Sequence, residues 1–173
     1  MKTTRVVGIV LGSVLLQVAL SRYLVGGRFA FDLVLVGVVV VALQTGAAAG
    51  MMAGTIGGLA VDILGGTVVG FGGLLKTLVG CASGALGTQF VVAKAHARAL
   101  IVAGATLAHG LMAAGLQGVI DQTWPRLAWT AMLEQIVINT VVAWVAFAAT
   151  ESLPGALARN RARSRSSWGR RQW

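Results

Sequence analysis

Residues Leu33–Val61 run for 29 positions without a charged side chain. As one helix that stretch would be ~43 Å long at ~1.5 Å per residue. The hydrocarbon core of a bilayer is ~30 Å thick. The stretch is therefore long for one membrane span and short for two. Its only polar break is Gln44-Thr45-Gly46, which predicts a tight turn flanked by two short spans, roughly 29–44 and 46–64. The alternative keeps Leu33–Val61 as a single tilted helix.

The rest of the chain follows the same pattern. Hydrophobic residues make up 57% of the 173 positions, with 24 glycines besides, and charged residues only 11%. A soluble domain of this size has too little interior to hide so much apolar surface. That excludes a soluble enzyme, a disordered chain and a disulfide scaffold, and it leaves an all-α polytopic membrane protein. Six spans would use ~120 residues at ~20 each, leaving no room for an extramembrane domain. We expect a transmembrane domain over 1–153 and a basic tail over 154–173.

The first span is Val6–Leu20, after Lys2 and Arg5. Its charged start and apolar middle also resemble a secretory signal cut near Ala19-Leu20-Ser21. An uncleaved span is preferred, because the hydrophobic pattern continues far beyond it. Arg22, Arg28 and Asp32 mark the first loop, and Gly65-Gly66-Thr67 a later turn. Gly70–Ala93 forms the fourth span, interrupted by Lys76, and Lys94, His96 and Arg98 form a basic loop. Leu100–Ile120 is the fifth span, the polar loop 121–126 contains Pro125, and Ala128–Thr150 is the sixth. Glu151, Pro154 and Gly155 are expected to end it.

With six spans both termini share one side. That side holds Lys2, Arg5, Lys94, Arg98 and the tail arginines Arg159, Arg161, Arg163, Arg165, Arg170 and Arg171; the other holds Arg22, Arg28 and Arg126. Basic residues concentrate in cytoplasmic loops, so both termini are expected in the cytoplasm. The five-span alternative would put the six tail arginines outside. The net charge of +9 belongs mainly to this tail and points to anionic lipid at the inner leaflet, not to nucleic acid. The other reading of the tail is a disordered segment serving orientation alone. Tyr23, Trp124 and Trp129 fall at expected interfaces, as an aromatic belt would.

Few side chains offer chemistry. Asp62 and Lys76 flank the same turn at similar distances and could pair across the hairpin, although a local role for each is the preferred reading. In that reading Lys76 snorkels outward and Asp62 caps or bonds locally. His109 and Asn139 both lie 15 residues from Trp124, which puts them at matching depth in antiparallel neighbours, with Glu134 shallower. Intramembrane polar groups are functional candidates, but one structural hydrogen bond joining spans five and six is the preferred account of them. A proton relay would need more acids in line. Cys81-Ala82-Ser83-Gly84 lacks the leading glycine of an intramembrane serine protease motif, and Ala60-Val61-Asp62 is not the GxGD of an aspartyl protease. We expect no catalytic, cofactor or metal site. The lone Cys81 permits no internal disulfide.

Glycine spacing is the strongest pattern. Gly46, Gly50, Gly54 and Gly58 recur every four residues, and Gly80 and Gly84 repeat the stride in the next span. Small residues at i, i+4 let helix backbones approach closely in lipid. The stripe serves either internal packing or a face for a partner helix or a second copy of this chain.

The segment Gly50-Met51-Met52-Ala53-Gly54-Thr55-Ile56-Gly57-Gly58-Leu59-Ala60-Val61-Asp62-Ile63-Leu64, then Gly70-Phe71-Gly72-Gly73-Leu74-Leu75 and Val79-Gly80, resembles the centre of the MreD family of rod shape-determining membrane proteins. The likeness in motifs covers about 46–87, a glycine-rich stretch of the kind that packs helices; elsewhere it is one of layout. Lys76 departs from the apolar residue expected there, and the Arg-Ser tail is longer than a minimal member needs. The resemblance implies a non-enzymatic scaffold of the bacterial inner membrane, acting with the single-span MreC in the cell-elongation complex. MreB, RodA and a penicillin-binding protein of peptidoglycan synthesis are the further partners it implies. MreD-like proteins are similar in fold to S-components of energy-coupling-factor vitamin transporters, so the alternative is a small-molecule-binding S-component. Gly8-x-x-x-Gly12 in the first span stands where S-components carry alanines.

Overall fold

The computed structural model describes residues 3–23, 31–66, 68–89, 95–123 and 127–168, with side chains described over 4–21, 31–66, 68–88, 96–123 and 127–148. Six helices follow one another: α1 (Thr3–Tyr23), α2 (Leu33–Thr45), α3 (Ala47–Gly65), α4 (Phe71–Gln89), α5 (Ala95–Asp121) and α6 (Trp129–Trp168). No strand occurs among the described residues. Four helical stretches are long and apolar enough to cross a membrane: Thr4–Ser21, Ala47–Gly65, His96–Asp121 and Trp129–Ala148. The chain is an all-helical membrane protein.

The 29-residue uncharged stretch is two helices, broken at Gly46. Gly46 has φ +96° and donates its N–H to the Ala42 carbonyl, a left-handed backbone that glycine adopts without a Cβ penalty. The two helices have different fates. α3 is long enough to span, whereas α2 has 13 residues, ~20 Å of helix, and falls short of the ~30 Å core.

α2 is the centre of the bundle. Every residue from Leu33 to Ala42 is buried. An apolar run with no polar face can be covered on all sides, and α2 packs against all five other helices. Val34, Val38 and Val41 meet Val10 and Val14 of α1 and Ala53 of α3. Leu35, Val36, Val39 and Val40 meet Val79 of α4, Val102 and Ala105 of α5, and Ala143 and Phe147 of α6. The outer helices present Leu11, Leu15, Met52, Ile56, Leu100 and Val137 outward, as a lipid-facing surface would.

The closest seam joins α3 and α4, and it is made by glycine. A Cβ added at Gly50 would meet the Gly80 backbone, one at Gly58 the backbone of Gly72 and Gly73, and one at Gly84 the backbone of Ala47. Gly54 lies directly against the main chain of Lys76. Gly50, Gly54, Gly58, Gly80 and Gly84 therefore face inward onto the hairpin. Gly46 is the turn residue and would meet only Thr88, at 3.8 Å. In α1, by contrast, nothing lies within 4 Å of a Cβ at Gly8 or Gly12.

Three boundaries differ from expectation. His96 and Arg98 are not in a loop but in the first turns of α5; Lys94 lies outside the described residues. Arg98 stands over the Phe147 ring of α6 at 5.5 Å from its centroid, so this end of α5 packs on the bundle. Glu151, Pro154 and Gly155 do not end α6, whose backbone continues to Trp168. A proline removes one N–H donor from the ladder, and the strong helix formers Ala156, Leu157 and Ala158 carry the helix past it. Finally, Asp32 is no exposed loop marker: it is the buried N-cap of α2.

Candidate functional site

The buried polar groups converge where α2 begins. The first N–H groups of a helix have no partner within it, and in an apolar bundle each must find one or incur a desolvation penalty. Here side chains from two other helices and the cap residue accept from these groups. The Asp32 carboxylate accepts from the Leu35 N–H at 2.8 Å. Gln17 of α1 accepts from the Val34 N–H at 3.0 Å through its side-chain oxygen. Asn139 of α6 accepts from the Asp32 N–H at 2.9 Å and donates to the Thr106 hydroxyl of α5 at 3.2 Å. Thr106 in turn donates to the Val102 carbonyl at 2.8 Å.

The charge of Asp32 is matched by α4. Lys76 Nζ lies 2.7 Å from Asp32 Oδ2, and both side chains are almost fully buried. Asn139 sits ten residues into α6, so the start of α2 lies ~15 Å inside the end of the bundle where α6 begins. Five helices thus meet at one polar junction deep in the protein. His109 belongs to its neighbourhood, close enough to Lys76 and Asp32 to feel both charges. Its Nε2 is buried with no hydrogen-bond partner among the described residues.

Asp62 does not pair with Lys76; it makes the local cap that the sequence favours, while Lys76 pairs with Asp32 and does not snorkel outward. The Asp62 carboxylate accepts from the N–H groups of Gly70 (2.9 Å), Gly72 (3.0 Å) and Gly73 (3.2 Å). It caps the start of α4, where an anion is favoured by the helix dipole and unpaired donors are plentiful. Lys76 sits further along α4 and points inward, so it neither reaches Asp62 nor snorkels. Because Asp62 caps α4 through its carboxylate oxygens, Asp62→Asn, which keeps one acceptor oxygen, is expected to lower stability by no more than ~1 kcal/mol, and Asp62→Ala by ~1–2 kcal/mol. Thermal unfolding in detergent measures both. An Ala variant melting with the wild type would show that the cap contributes nothing.

His109 and Asn139 are likewise not bonded to each other. The hydrogen bond between α5 and α6 runs from Asn139 to Thr106, one turn from His109. Sequence reasoning misses Thr106 and Gln17, and the signal that marks them is polarity within an apolar helix, where hydroxyls and amides hydrogen-bond across to neighbouring helices. Glu134 is exposed on α6 and takes no part. Cys81 is a free, half-buried thiol. Trp129 opens α6 and is exposed; Trp124 lies outside the described residues, and so do the tail side chains Arg159, Arg161, Arg163, Arg165, Arg170 and Arg171. Among the described residues no three His, Cys, Asp or Glu side chains could hold a metal ion.

Two apolar grooves lie on the flanks. One, of ≈ 460 Å³, runs between α4 and α5 over Val79, Ala82, Ser83, Gly104, Ala105 and Ala108. The other, of ≈ 330 Å³, lies between α5 and α6 beside Leu100, Val141 and Trp144. Neither is lined by the residues of the polar junction.

No protein-family model, no curated protein and no solved structure matches the chain.

Proposed function

We propose that this membrane protein is a non-enzymatic scaffold of the MreD kind. It would sit in the bacterial inner membrane with both termini in the cytoplasm and help to hold a peptidoglycan-synthesising elongation complex with an MreC-like single-span partner. The observation that carries the reading is the engagement of the buried polar groups. Asp32, Lys76, Asn139, Thr106 and Gln17 are joined to one another or to helix backbone, so their chemistry holds helices in place. The resemblance over 46–87 supplies the family, and the absence of a catalytic spacing in the sequence agrees with it. Association with MreB, RodA, a penicillin-binding protein and anionic lipid belongs to the same proposal.

The test pairs complementation of cell shape in a rod-shaped host with binding of candidate vitamins to the purified protein. A scaffold restores rod growth and binds no vitamin. It also tolerates His109→Gln and Asp62→Asn with cell shape nearly intact. Normal rod growth after deletion of the gene, or tight stoichiometric vitamin binding, would overturn the reading.

One observation favours the S-component alternative. α2 begins inside the bundle beside a charged pair, and interrupted helices whose ends point into the membrane interior are where transporters bind solutes. Vitamin binding by the wild type that is lost in the double variant Asp32→Asn, Lys76→Met, which is expected to stay folded, would select that alternative.

The orientation has its own test. A single cysteine in the tail of a Cys81→Ala variant is expected to resist an impermeant thiol reagent in intact cells and to react once the membrane is opened. Labelling in intact cells would reverse the orientation derived from the basic residues.

A further inference from the structure

We draw no further inference here: the strongest candidate, the apolar groove between α4 and α5 floored by Ala82, Gly104 and Ala108, carries nothing, because nothing in the structure shows what covers it.

Discussion

Lys76→Met is expected to destabilise the protein by ~3–5 kcal/mol, the usual consequence of leaving one member of a buried ion pair without its partner. The substitution preserves most of the side-chain volume and deletes only the ammonium group. It leaves the Asp32 carboxylate buried with the Leu35 N–H as its hydrogen-bond donor. Asp32→Asn should be similarly severe for the converse reason, since Lys76 would stay charged in an apolar interior. The double variant Asp32→Asn, Lys76→Met removes both charges and retains a side-chain oxygen to cap α2. It is expected to recover most of the loss, because replacing both members of a buried pair is often near neutral. Thermal or denaturant unfolding of the four proteins in one detergent gives the coupling directly. Additive losses in the double variant would mean that the two charges do not depend on each other, and the junction as described would be wrong.

Gly54→Leu is expected to have the other large effect. A Cβ at this position would lie 2.7 Å from the Thr77 backbone nitrogen and closer still to the Lys76 main chain. Backbone cannot rotate away as a side chain can, so α3 and α4 must separate. Overpacking costs ~1–3 kcal/mol in ordinary cores and more where main chain is displaced. The same shift would pull Lys76 from Asp32, so loss of folded protein is the expected result. Gly12→Leu is the control, since nothing lies within 4 Å of its Cβ; it should leave the melting temperature unchanged. If Gly54→Leu melts like the wild type, the α3–α4 seam is not closed as the structure has it. If Gly12→Leu abolishes complementation without altering stability, the outward face of α1 is a contact surface.

The glycine stripe illustrates how far local pattern reaches. A stride of four residues puts Gly46, Gly50, Gly54 and Gly58 on one helix face, and close approach of another backbone follows from their size. Which backbone approaches does not follow. An internal neighbour, a partner and a second copy of the chain present the same small-residue face. Only the folded hairpin, with Gly80 against Gly50 and Gly73 against Gly58, assigns the stripe to α4. Asp62 is similar. Its place beside a turn was plain, but a carboxylate near both a lysine and a helix start has two partners to choose from. The helix start is nearer, and three backbone donors outcompete one ammonium group further along α4.

The sequence alone settled the class of protein and the helical character of each apolar stretch, and it favoured a break at Gly46 that the structure then decided. Those properties depend on composition and on neighbours a few residues apart. The tertiary structure decided that α2 is the core of the bundle and not one of its outward-facing helices. Its valine-rich run has no polar face to mark an inside, and a lipid tail is as apolar as a protein interior. A helix wrapped by lipid and a helix wrapped by other helices are therefore written in the same residues. The polar junction is equally a tertiary result. Asp32 meets Asn139 across 107 positions of chain, and it meets Lys76 only because α2 and α4 lie side by side. Nothing local to Asp32 distinguishes a loop aspartate from the buried cap of a central helix. The difference arises when five helices close over it and remove the water that would otherwise have solvated its charge.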